Sequence, residues 1–179
     1  MTDLAIFDDF ADRLIGLIRS GNGLSDDEFG ALALELHDCQ RGTIGPLRSL
    51  AGAREQVNQW RELAAMPAAM FKELELTSLP PAQRDHVFHS SGTTTQASSR
   101  HYHNEDSLRL YEASLLWWFG RNVTRDEAMC FVSLTPPVSA APNSSLVHMF
   151  ERVGLESGGT VFLGQVDAGG AWAVEFNRL

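Results

Sequence analysis

With only two cysteines in 179 residues, Cys39 and Cys130, the chain cannot carry a disulfide framework, and it reads as a protein of a reducing compartment. No apolar run approaches the roughly 20 residues that span a bilayer. The N-terminal Met-Thr-Asp-Leu-Ala-Ile-Phe-Asp-Asp has no positive region ahead of its apolar residues and does not read as a signal peptide. Runs rich in lysine and arginine are also missing, and the net charge is -9, which argues against nucleic acid or an anionic membrane surface as partner. A nucleotide is not excluded, because a local nest of backbone N–H groups holds phosphate without global positive charge. The expectation is a cytoplasmic protein with no membrane span and no nucleic-acid partner.

The remaining composition, 44% hydrophobic and 21% charged, is that of a globular chain. A chain of this size hides about 70% of its unfolded surface, enough for a sizeable core. Residues 3–20 place Phe7, Phe10, Leu14, Leu17 and Ile18 at helical spacing, with Gly21-Asn22-Gly23 as the stop. Ser25 and Glu28 have the spacing of a capping box, Leu24 stands where it can staple onto Phe29, and Phe29, Leu32, Ala33 and Leu36 form the expected buried stripe of a second helix. Near its end, His37 and Cys39 lack two further ligands for a metal, so a surface histidine and a packed thiol are expected. Gly42, Gly45 and Pro46 are expected to break the chain, and a third helix is expected over about 53–65, carrying Val57, Trp60 and Leu63, with Pro67 closing it. Residues 71–76 alternate apolar and charged and suit a strand with one wet face.

Beyond a hydroxyl-rich stretch at 88–100, Asn104 or Asp106 caps a helix over about 106–119, with Leu108, Tyr111, Leu115, Trp118 and Phe119 inward and Gly120 as stop. Core packing is the expected role of Trp117-Trp118-Phe119. The run 129–134 reads as a central strand covered on both faces, ended by Pro136-Pro137. The loop 138–145 lies at its C-terminal end, where open α/β sheets bind ligands. Ser144 or Ser145 caps a helix over 146–153, Gly154 stops it, and residues 160–163 form another strand before the Gly169-Gly170 turn. Helices first and alternating strands and helices after give an α/β fold, divided into an N-terminal helical segment, 1–66, and a partial mixed or parallel sheet with flanking helices, 67–179.

The chemistry is concentrated in Phe88–Arg100, where seven hydroxyl residues surround Gly92. A packed core has no use for such a run, whereas a loop wrapping an anion does. Gly92 lets the backbone turn closely around a ligand, successive N–H groups make a nest, and Arg100 supplies a charged fork. A flexible surface loop is the plain alternative. The stretch lacks the Gly-Lys-Ser/Thr of a P-loop and the three glycines of a dinucleotide fingerprint. His89, His101 and His103 could share one face and hold zinc, although half-exposed histidines lending donors to the loop explain them as well. A hydrolase pairing Ser90 or Ser91 with a histidine has no Gly-x-Ser-x-Gly elbow to support it.

The order Ser90-Ser91-Gly92-Thr93-Thr94 resembles the phosphate-binding loop of adenylate-forming enzymes. Its flanks are similar to the N-terminal part of the LuxE-type acyl-protein synthetases: Trp60, Pro67 and Phe71-Lys72, then Ser99-Arg100-His101, Leu110–Leu115, Leu134-Thr135-Pro136-Pro137 and Asn143–Met149. The likeness spans roughly residues 30–165. It departs at Thr95, where this superfamily commonly has glycine, and Arg100 stands nearest to where a lysine is often found. The resemblance implies a fatty or other carboxylic acid activated with ATP, with release of pyrophosphate and transfer of the acyl group to a thiol. It implies ATP and Mg²⁺ as cofactors, Ser90, Ser91, Gly92, Thr93, Thr94, Thr95 and Arg100 at the phosphates, and His148 at the acyl pocket. No acidic metal ligand and no catalytic residue can be assigned. The family's adenine pocket, catalytic lysine and acyl-accepting cysteine lie downstream of the matching stretch. A second polypeptide, or a second copy of the chain, is therefore an expected partner. The alternative expectation is a non-catalytic anion-binding or protein-interaction module.

Overall fold

The computed structural model describes residues 3–52, 57–90 and 98–178. It combines helices with small sheets, an α/β fold. Among the described residues no helix is long and apolar enough to cross a membrane, and neither Cys39 nor Cys130 is in a disulfide. The chain divides into two compact units, residues 1–87 with 91–110, and residues 88–90 with 111–179. The expected division at 66/67 lies inside the first unit.

The first unit is built on α1 (Asp3–Ser20) and α2 (Asp26–Thr43). Phe10, Ala11 and Ile15 of α1 are buried, and Arg13 reaches across to Glu35 of α2. The capping box forms as the sequence implies, with the Ser25 side chain accepting from the Glu28 N–H while Glu28 accepts from Ser25. The buried face of α2 differs from the expected stripe. Phe29 is 47% exposed and packs edge-on against Trp60, with ring centroids 5.1 Å apart. Gly30 and His37, two turns apart on one face, are the buried positions. Gly30 fits there because a Cβ would stand 3.1 Å from the Trp60 ring. His37 is thus interior rather than a surface histidine, and its Nε2 has no hydrogen bond among the described residues.

The chain does not break at Gly42, which stays inside α2; the break comes at Ile44, and Pro46 sits in the first turn of α3 (Gly45–Ala51). The expected helix over 53–65 is not found in its described part, 57–65, where the only helical piece is a 3-10 turn, Trp60–Glu62. That segment is pinned to α2 instead, by Trp60 on Gly30 and by the fork of Arg61 on Asp26 at 2.9 and 3.0 Å. The expected strand over 71–76 begins as one helical turn, α4 (Met70–Glu73), set up by the carbonyls of Pro67, Ala68 and Ala69. Pro67 therefore opens this turn. Phe71 then stacks on His101, centroids 4.8 Å apart. His101 belongs to β2 (Arg100–His103), which pairs with β1 (His86–His89) in a two-stranded sheet.

After β2, Asn104 accepts from the Ser107 N–H at 2.9 Å and caps α5 (Glu105–Asn122). Gly120 does not end this helix. The carbonyls of Trp118, Phe119 and Gly120 accept from Asn122, Val123 and Arg125, so the helix is stapled beyond the glycine. Trp118 points outward, 58% exposed, and Trp117 is also exposed.

The second unit holds β3 (Phe131–Ser133), α6 (Ser145–Leu155) and β4 (Thr160–Phe162) as one βαβ unit. Its strands run parallel in the register Phe131↔Thr160, Val132↔Val161, Ser133↔Phe162. Ser144 caps α6 through the Val147 N–H. Gly154 lies within the helix one residue before its end, where a Cβ would stand 2.9 Å from both the Thr160 N and Cβ; it lets α6 lie directly on β4. Phe119 of α5 meets Phe131 edge-on at 5.4 Å. Only one face of the strand pair is covered, contrary to the expected central strand: Val132 and its register partner Val161 are 58% and 42% exposed. The chain then continues through buried Leu163 into β5 (Gly164–Val166), which pairs antiparallel with β6 (Trp172–Val174) across the Gly169-Gly170 turn.

Candidate functional site

In the second unit, three stretches distant in sequence meet at one point. α5 contributes Tyr111 and Glu112, α6 contributes His148 and Arg152, and the end of β1 contributes Phe88. His148 Nε2 lies 2.9 Å from Glu112 Oε1, and Arg152 Nε lies 3.2 Å from Glu112 Oε2. The two side chains of the closer pair are 16% and 19% exposed, so their contact is partly screened from water. Arg152 bridges two carboxylates, with Glu156 at 3.4 Å from its Nη2. Aromatic rings wall the imidazole: Phe88 at 5.4 Å and Tyr111 at 6.1 Å between centroids. Tyr111 donates its hydroxyl to the Ser145 carbonyl at 3.3 Å, and burial pushes its ionisation up. The start of the hydroxyl-rich stretch is tied to the same unit by the His89 N–H, which donates to the Asn143 carbonyl at 2.9 Å.

One helical turn further along α5 and α6, a cleft of about 350 Å³ opens. Leu116, Phe119, Phe131 and Val153 give it an apolar lining, and Arg125 and Glu127 are among the polar residues that complete it. The ion pair of Arg152 with Glu156, itself a lining residue, runs from the histidine cluster to this cleft.

No family model, curated protein or solved structure matches the chain. The chemistry of the site therefore rests on its own residues. Of those proposed from sequence, His148 is in the cluster, Ser90 is half-buried at the end of β1 in the same unit, and Arg100 is an exposed residue opening β2 in the first unit. Ser91, Gly92, Thr93, Thr94 and Thr95 lie outside the described residues. Arg100 stands near Glu75, whose carboxyl is held below its ordinary value chiefly by its hydrogen bond from Arg84 at 2.7 Å, with Arg100 adding a weaker attraction. The first turn of α5 carries Glu105 and Asp106, which complement the positive end of the helix with side chains of the protein itself.

The histidines flanking the loop serve separate partners. His101 Nε2 is 3.0 Å from Ser99 Oγ, and His103 Nδ1 is 3.2 Å from Ser107 Oγ. Among the described residues no three metal-binding side chains are grouped to hold an ion. Ser99, which makes the contact with His101, is buried; Ser91 of the hydrolase reading lies outside the described residues. Glu112 and Arg152 were not singled out from sequence. Their trace there is faint: His148 and Arg152 sit at i and i+4 on α6, and Glu112 interrupts the apolar face of α5 between Tyr111 and Leu115.

Proposed function

We propose that this chain is an acyl-activating protein similar to the N-terminal part of the LuxE-type acyl-protein synthetases. It would join a carboxylic acid to ATP as an acyl-adenylate, for onward transfer of the acyl group to a thiol. One observation supports this best. Three of the segments that carry the resemblance, Phe88–Ser90, Tyr111–Glu112 and Asn143–His148, are far apart in sequence and pack together in one unit. A chance likeness of a serine-rich loop gives no reason for that convergence. In this reading Ser90, Ser91, Gly92, Thr93 and Thr94 hold the phosphates by backbone and hydroxyl donors, with Thr95 and Arg100 beside them. Fixed donors of this kind stabilise charge developing at the α-phosphate as the carboxylate attacks. His148 belongs to the acyl side, and the apolar cleft at Leu116 and Phe131 suits an alkyl chain.

Calorimetric titration of ATP and AMP into the purified chain, beside a Gly92→Val variant, tests this. Heat in the parent that is lost in the variant is expected, because a branched side chain closes the nest. A folded parent that binds neither nucleotide overturns the proposal. A second reading, a non-catalytic anion-binding or protein-interaction module, is favoured by the uncovered apolar face of Val132 and Val161. It predicts no pyrophosphate release when ATP and a fatty acid are supplied together, and a partner that co-purifies with the chain.

A further inference from the structure

We infer that Glu112 is a positioning residue for His148, with Arg152 bracing it. The inference deepens the proposed acyl-activating site and rests on that reading for its role, but its geometry stands independently. An ionised carboxylate only accepts hydrogen bonds, so at 2.9 Å from Glu112 Oε1 the Nε2 of His148 carries a hydrogen. That commits Nε2 to the protein and leaves Nδ1, which has no hydrogen bond among the described residues, as the nitrogen offered to a ligand. Neutral His148 then presents a lone pair at Nδ1, fit to accept a hydrogen from a hydroxyl or thiol.

The surroundings explain why one carboxylate suffices to fix the ring. Phe88 and Tyr111 flank the imidazole and limit its swing. Glu112 is held in turn, because Arg152 Nε occupies its second oxygen at 3.2 Å. That contact is an ion pair without good hydrogen-bond alignment, and Arg152 Nε makes no hydrogen bond among the described residues. Arg152 thus acts through charge, holding the carboxylate between α5 and α6, while His148 takes the directional bond. The arrangement is that of an orienting carboxylate behind a working histidine, here drawn from two helices.

Two readouts test it. The first is the imidazole N–H resonance of His148 in the folded protein, assigned by its loss in His148→Asn. The parent and Glu112→Gln, which keeps an acceptor oxygen, are expected to show this proton protected from exchange, and Glu112→Ala to lose it. A resonance that survives in Glu112→Ala, or that vanishes equally from both Glu112 variants, overturns the assignment. The second readout is pyrophosphate release from ATP and tetradecanoate. Glu112→Ala is expected to lower kcat by about 100-fold, the effect of a misplaced group, with the KM for ATP unchanged, and Glu112→Gln, which keeps the acceptor but not the charge that Arg152 holds, to lose less than Glu112→Ala. An undiminished kcat in Glu112→Ala removes the positioning role. A parent that releases no pyrophosphate removes the acyl-activating reading, while the resonance still decides whether Glu112 holds His148.

Discussion

Gly164 shows how tightly a single residue is specified. It sits where the chain leaves the parallel pair for the β5–β6 hairpin, and its N–H donates to the Thr135 carbonyl at 3.0 Å. A Cβ there would lie 2.6 Å from the Leu134 carbonyl oxygen and closer still to the backbone of Thr135 and Pro136. These are main-chain atoms beside a rigid proline, so they cannot yield as the tip of a flexible side chain would. Gly164→Ala is therefore expected to cost about 2–3 kcal/mol through overpacking, read as a lowered urea midpoint. A variant within about 0.5 kcal/mol of the parent would show that the backbone moves aside. Gly120 makes the opposite case: nothing lies within 4 Å of its absent Cβ, and the helix runs through it.

At the scale of the element, local caps decide where a helix begins and how its stability responds to acid. Both the Ser25 hydroxyl and its backbone N–H donate to Glu28, at 2.7 and 2.8 Å, and these bonds hold the Glu28 carboxyl below its ordinary value of 4.5. A lowered folded value means that the capping contribution is fully present above pH 4.5. It fades as pH falls through the folded value and the carboxylate takes a proton. The urea midpoint of the parent is expected to fall more steeply below that pH than the midpoint of Ser25→Ala, which lacks the principal bond. Parallel curves would show that the cap carries no pH dependence. The same locality explains why some elements are legible in the sequence. α1, α2, α5 and α6 repeat their apolar period over several turns, and α2, α5 and α6 carry caps within four residues, so sequence reveals them. The run 71–76 is too short for its period to outweigh the turn set up by Pro67, Ala68 and Ala69. Trp60 and Arg61 leave the expected helix because both find partners on α2, which no local pattern announces. The site divides in the same way. His148 and Glu112 each stand in a contiguous motif, but their pairing, and the place of Arg152 beside them, arise only from the packing of α5 and α6.

For the molecule as a whole, the open question is the bare face of the β3–β4 pair. Parallel strands normally lie between two layers, because their connections place helices on the faces. Here the helical layer covers one side, through Phe119 on Phe131 and Gly154 against Thr160. On the other, Val132 and Val161 stand opposite each other in register, and Leu134 follows on the same side at 59% exposure. Apolar side chains already in water contribute little to folding, so replacing one by a charge should leave stability almost intact while changing the surface. Val132→Lys is expected to shift the unfolding free energy by no more than about 0.5 kcal/mol. The same substitution should reduce the fluorescence of a dye that reports exposed apolar surface. A loss well above about 1 kcal/mol would mean that Val132 is buried in solution and that this face has a cover within the chain itself.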